Sequence, residues 1–314
     1  MRTSKLKSVI GACTGAALLL LGSGPASRAA DKPASVVVAS KIDTEGSLLG
    51  SMIALLLQKQ GIAVENKIQL GPTKIVREAI LAGQIDVYPE YTGNGAFFFH
   101  MEADPAWRNA AAGYEKVKSL DEQQNKLVWL APAPANNTWA IAARRDLADA
   151  GKLATLEDFA KYVNGGGKVR LAASAEFVES PAALPAFQDA YGFKLKQDQL
   201  LVLSGGDTAA TIRAAAEGTS GVNAAMAYGT DGALAALGLA VLADSKGAQI
   251  VYQPAPVIRA AVLDAHPEIR TALDPAFKSL SLETLQKLNA KIAVDGEDAK
   301  AVATDYLSAG GFLK

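Results

Sequence analysis

Cysteine and histidine are almost absent from this chain. One cysteine, Cys13, and two histidines, His100 and His266, occur in 314 residues. Cys13 falls in an N-terminal leader, so the chain left after cleavage would hold no cysteine. That excludes disulfides, a thiolate nucleophile and thiolate metal sites. The histidines form no His-x-x-x-His or comparable metal spacing. No Gly-x-Ser-x-Gly elbow supports a serine nucleophile. The Gly-rich run Asn164–Gly167 has no Lys-Ser/Thr pair after it and reads as a surface turn, not a phosphate loop. Neither an enzyme nor a metal or other cofactor is expected. Aromatic residues make up only 6% of the chain, so a cluster of them carries information. No apolar run after residue 30 is long enough to span a bilayer.

The N-terminus reads as a targeting segment. Residues 1–29 join a short basic region to an apolar stretch and a small-residue site, with Ser27 and Ala29 at the −3 and −1 positions of a cut after Ala29. A rival reading is a lipobox at Ile10–Cys13, but the apolar run continues well past Cys13. An exported, periplasmic protein is expected. Losing Arg2, Lys5, Lys7 and Arg28 takes the formal net charge from −1 to −5. A mildly acidic surface argues against nucleic acid and anionic membranes as partners.

The remaining chain alternates strand-like and helix-like segments. A β-branched run at 35–40 reads as a strand. Residues 47–61 have helical spacing, with Thr44 as a plausible N-cap and Gly61 as the stop. A second strand follows over 63–70. A helix begins near Pro72 and ends at Gly83, and a third strand over 85–91 ends at Pro89. This β-α-β-α-β order predicts a parallel sheet flanked by helices. After a helix over about 105–125, residues 136–147 read as a crossing into a second α/β series. The pattern returns to strands near 245, and helices close the chain at about 266–280, 282–294 and 297–309. The expected organisation is two α/β lobes, residues 30–140 with 245–314 and residues 141–244. Their strand ends would face one cleft. The stretch "DVYPEYTGN" (86–94) stands at the carboxyl end of the third strand.

Several of these segments, in order along the chain, resemble one family. They are "SKIDTEG", "AILAGQIDVYPEYTGNG", "NNTWAIAARRD", "SAEFVESPAALPAFQDAYGF", "AMAYGTDG" and "YQPAPVIR". The resemblance is to the substrate-binding proteins of osmoprotectant ABC importers, which capture glycine betaine, choline and related quaternary amines. It implies the two-lobed type II periplasmic binding protein fold, a membrane permease as partner and a monomer. It also implies an aromatic cage of Tyr91, Trp139, Tyr228 and Tyr252, with Lys41 and Thr92 facing a carboxylate or hydroxyl of the ligand. The physics suits such a ligand. A quaternary ammonium has no N–H to donate, and an aromatic face offers it negative potential together with an apolar wall. One departure bears on the ligand. Ser180 stands where the family often has an arginine that pairs with a betaine carboxylate, and a hydroxyl cannot replace a guanidinium. That implies weak binding of glycine betaine, or a different ligand such as choline, another methylated amine or a larger quaternary compound. The alternative is a binding protein of the same fold for another small amine or an amino acid.

Other notable residues have plainer readings. Tyr88 alternates with Val87 and reads as support for Tyr91. Asp86 reads as a turn or cap residue and Glu90 as structural. Trp107, Trp129 and Phe97–Phe99 read as packing.

Overall fold

A computed structural model describes residues 35–203 and 208–314. The leader expected over residues 1–29 lies outside the described residues. The described chain forms two mixed sheets, each of five strands among those residues. The strands are β1 (Val36–Lys41), β2 (Val64–Gly71), β3 (Val87–Tyr91), β4 (Leu127–Trp129), β5 (Trp139–Arg144), β6 (Leu171–Ser174), β7 (Leu200–Leu203), β8 (Ala224–Tyr228), β9 (Leu239–Val241) and β10 (Pro254–Arg259). The first sheet has the order β2-β1-β3-β10-β4 and the second β7-β6-β8-β5-β9.

The two sheets share one plan. Three strands run parallel in each, β1, β2 and β3 in the first and β6, β7 and β8 in the second. The fourth and fifth strands run antiparallel to their neighbours. In both sheets the strand beside the third parallel strand is the one entered from the other sheet: β5 on the outward crossing, β10 on the return. Its beginning therefore lies against the end of its neighbour. Pro254 opposes Tyr91, and Trp139 opposes Tyr228. This register brings the two crossings and the two aromatic strand ends to one place.

β3 does not end at Pro89. It continues to Tyr91, with Pro89 opposite Pro256. The Pro256 carbonyl accepts from the Leu130 N–H on the far side of its strand. The two prolines therefore face each other at a non-hydrogen-bonded position, where the missing N–H groups cost no bond between β3 and β10. Every residue of β3 is buried.

Helix α1 (Thr44–Lys59) is capped one residue earlier than expected, by Asp43 and not Thr44. The Asp43 carboxylate accepts the Gly46 N–H at 2.7 Å, where negative charge also suits the helix N-terminus. α1 buries Leu48, Leu49, Met52, Ile53, Leu56 and Leu57 against β1 and the C-terminal helices. Those helices are Glu268–Lys278, Leu282–Ala293 and Ala299–Ala309. They are built into the first sheet's core.

A second group of packed residues fixes helix α2 (Thr73–Leu81). Its Arg77 donates to both oxygens of Asp121, at 3.0 and 2.5 Å. Asp121 also accepts from Trp129 Nε1 at 2.7 Å and Asn125 Nδ2 at 2.8 Å, and it has no exposure. Trp107 and Trp129 are core residues, as their sequence context suggests. Asp121→Ala would strand a buried guanidinium, so we expect a loss of about 3–5 kcal/mol of stability, read from the urea midpoint.

Candidate functional site

The two sheets flank a cavity of about 660 Å³. Its wall carries Tyr91 from the end of β3, Trp139 from the start of β5, Tyr228 from the end of β8 and Tyr252 from the return crossing. Five of the six residues proposed from sequence line it, Lys41 being the fifth. The crossings themselves are bonded side by side. Asn137 N–H donates to the Tyr252 carbonyl at 2.9 Å, Tyr252 N–H to Asn136 Oδ1 at 2.8 Å, and the Thr138 hydroxyl to the Ile250 carbonyl at 2.7 Å.

Thr92 is the sixth, and it does not line the cavity. Its hydroxyl donates to the Val251 carbonyl and accepts the Gln253 N–H, each at 3.1 Å, while its own N–H donates to the Gln253 carbonyl at 3.0 Å. Thr92 is 1% exposed and ties the return crossing to β3. Asn94, two residues on, lines the cavity instead. The 3₁₀ turn Thr92–Asn94 carries the chain from one to the other. Gly93 between them lies against the Tyr252 ring, where a Cβ would come within 2.7 Å of it.

Lys41 is buried and already partnered. Its Nζ lies 2.5 Å from Glu90 Oε1 and 4.5 Å from the centre of the Tyr91 ring. Glu90 has no exposure and collects further donors: the Tyr88 hydroxyl at 3.0 Å, the Tyr91 N–H at 2.7 Å and Asn94 Nδ2 at 2.7 Å. Burial and the Glu90 charge push the Tyr88 hydroxyl well above the usual tyrosine range.

Glu45 is a member of the wall that sequence reasoning passed over, although it sits inside the "KIDTEG" segment expected at the cleft. It is 5% exposed and bound on every side. The Tyr91 hydroxyl donates to Oε1 at 2.8 Å, Asn137 Nδ2 to Oε1 at 3.2 Å and Asn289 Nδ2 to Oε2 at 2.7 Å. The Thr230 hydroxyl is a fourth partner. Burial outweighs these donors and pushes the carboxyl up to about 7. Asn289 also donates to the Thr230 carbonyl at 3.0 Å, and Gln286 to the Gly229 carbonyl at 2.7 Å. The helix Leu282–Ala293, packed into the first sheet's core, thus holds the loop after β8 of the second sheet. The Oδ1 atoms of Asn137 and Asn289 are buried on this wall without a hydrogen-bond partner. Sequence gave no sign that a helix 244 residues away would reach Glu45.

Two more residues correct the expected picture. Phe97, read as packing, is 45% exposed at the cavity's edge. Ser180 is not part of the lining. It ends the short helix Ala175–Glu179, its N–H bonded to the Glu176 carbonyl at 2.8 Å. Among the described residues that line the cavity there is no arginine, and the charged ones besides Lys41 are Asp43, Glu45, Glu176 and Asp231.

Two outcomes follow from this wiring. Lys41→Met leaves Glu90 without its counter-charge, and the ligand-free protein should lose about 3–5 kcal/mol in urea melts. A loss of ligand affinity with unchanged stability would contradict this role. Glu45 holds its proton more tightly folded than unfolded. Its contribution to stability is present below the ordinary carboxylate value of 4.5 and is lost as pH rises through about 7. Relative to Glu45→Gln, the wild type should therefore lose on the order of 3 kcal/mol between pH 4.5 and 8, measured by chemical denaturation.

Comparison with known proteins shows the family. A family described as the substrate binding domain of ABC-type glycine betaine transport systems (OpuAC) matches residues 34–309. The chain is 61% identical over 279 residues to the glycine betaine-binding protein YehZ of Escherichia coli K12, covering 89% of this chain and 92% of that one. It is 31% identical over 276 residues to a glycine-betaine-binding protein of Pseudomonas aeruginosa, covering 86% of each. The solved apo structure of the E. coli YehZ protein superposes with a TM-score of 0.81 over 88% of this chain and 99% of that one. The chain belongs to the OpuAC family of substrate-binding domains of ABC-type glycine betaine transporters.

Proposed function

We propose that the protein captures a quaternary amine, glycine betaine or a close relative, in a cage formed by Tyr91, Trp139, Tyr228 and Tyr252, and hands it to a membrane permease. The observation that carries this reading is the register of the two sheets. It brings four aromatic side chains from both lobes onto one cavity whose charged lining is mostly acidic. A methylated cation gains from such walls and offers no N–H to the neighbouring carboxylates. A cavity of about 660 Å³ is generous for a ligand as small as glycine betaine. The lobes, residues 30–140 with 245–314 and residues 141–244, would close on it about the paired crossings and desolvate the cation. The permease would then read the closed form. A periplasmic monomer released from its leader near Ala29 fits this role.

The charges set the expected strength. Each ring gives a cation roughly 0.5–2 kcal/mol, so four give roughly 2–8 kcal/mol, against about 8 for micromolar binding and 4 for millimolar. With Ser180 away from the cavity and Lys41 held by Glu90, a ligand carboxylate finds no free guanidinium or ammonium among the described lining residues. Binding of glycine betaine from tens of millimolar to about micromolar is expected.

Calorimetric titration with glycine betaine, choline, carnitine and unmethylated glycine checks the reading. At least one methylated amine should bind and glycine should not. Tyr252→Ala should weaken binding about 2- to 30-fold while the protein stays folded. Equal binding of glycine would favour a binder of primary amines or amino acids on the same fold.

A further inference from the structure

Lys41 places a positive charge on the Tyr91 ring, 4.5 Å from its centre. That charge alone would repel a second cation from the same ring. Glu90, at 2.5 Å, cancels it. The pair leaves the wall of Tyr91 close to neutral in formal charge, so a counter-charge for a bound cation, beyond what the rings give, must come from another group.

Glu45 is positioned to supply it. Its Oε1 receives the Tyr91 hydroxyl at 2.8 Å, and a phenol that donates to a carboxylate carries more electron density in its ring. Its remaining partners, Asn137, Asn289 and Thr230, are all neutral and all lie on the cavity wall. Among the described residues, the other charged groups on that wall are otherwise engaged or lie outward. Asp43 caps α1 and is exposed. Asp231 accepts the Tyr228 N–H at 2.7 Å. Glu176 is exposed on its short helix. On the helix Leu282–Ala293, Lys287 is exposed and Lys291 lies 3.9 Å from Glu297. Neither histidine lines the cavity.

Resting on the cage reading above, we infer that Glu45 is the counter-charge of the bound amine. It orients Tyr91 through the hydroxyl, and binding of the cation drives the proton off its carboxyl. The balance is simple. Protein carrying Glu45–COOH and the amine give the complex carrying Glu45–COO⁻ and one proton released to buffer. No other bond changes. The ligand itself takes no part in the titration, because a quaternary nitrogen has no proton and the betaine carboxyl is ionised throughout the neutral range. The empty site holds its proton up to about 7, so affinity should rise as pH rises through that region. For a singly charged amine such as choline, ionisation of Glu45 corresponds to a gain on the order of tenfold; glycine betaine, whose own carboxylate opposes it, gains less.

The test is calorimetric titration of the cleaved chain with choline, and in parallel with glycine betaine, from pH 5.5 to 8.5. At pH 6.5 it is run in two buffers of different ionisation enthalpy. The wild type should bind choline on the order of tenfold tighter at pH 8.5 and release a proton at pH 6.5. Glu45→Gln should bind with a flat pH profile and a buffer-independent enthalpy. Tyr91→Phe removes one donor that stabilises the ionised form, so the midpoint of its profile should move to higher pH. This keeps the test open if Glu45→Gln does not fold. Wild-type binding that is flat with pH and releases no proton overturns the inference and leaves the cage reading intact. A pH profile kept by Glu45→Gln, or unmoved in Tyr91→Phe, also overturns it. No wild-type binding of glycine betaine, choline or carnitine at any pH overturns both.

Discussion

A carboxylate without solvent access, Glu90, sits one residue from the end of a strand that is buried along its whole length. Much of the first lobe's side of the cavity follows from satisfying it. Four donors converge on it: Lys41 Nζ, the Tyr88 hydroxyl, the Tyr91 N–H and Asn94 Nδ2. An unpaired charge there would be prohibitive, and a paired one holds its partners firmly. The pairing fixes the end of β1 against the end of β3. It also turns Asn94 toward the cavity and brings the Lys41 ammonium over the Tyr91 ring. Tyr91 is thereby held from two sides, by a cation over its face and a carboxylate on its hydroxyl.

The second constraint is topological. A chain that leaves one parallel sheet and enters another as an antiparallel strand must begin the new strand at the end of an old one. Doing this twice places Trp139 beside Tyr228, and the return crossing beside Tyr91. The aromatic wall is thus a consequence of the crossings, not of four unrelated placements. The hydrogen bonds between the crossings, through Asn136, Asn137 and Thr138, hold the two crossings side by side.

Local pattern carried much of this. The alternation of strand and helix and the burial of Tyr88 were legible in short segments. So was the plain role of Trp107 and Trp129. But three residues along a strand put Tyr88 on the opposite face from Tyr91, not beneath it. What was not legible depended on partners far apart in sequence. Pro89 looks like a strand end until Pro256 is set opposite it. Thr92 looks like a ligand donor until Val251 and Gln253 take its hydroxyl. Lys41 looks free until Glu90, 49 residues on, claims it. Glu45 looks like an ordinary first-turn acid until Asn289 reaches it from the C-terminal helices. Cap choice between Asp43 and Thr44 was a local matter, and there the stronger acceptor prevailed.

The most direct measurement is a crystal structure of the cleaved chain with a quaternary amine bound. The expected result is a trimethylammonium group within about 6 Å of the ring centres of Tyr91, Trp139, Tyr228 and Tyr252, with the two lobes drawn together around it. A ligand bound outside these rings, or held by carboxylates alone with the rings turned away, would contradict the cage.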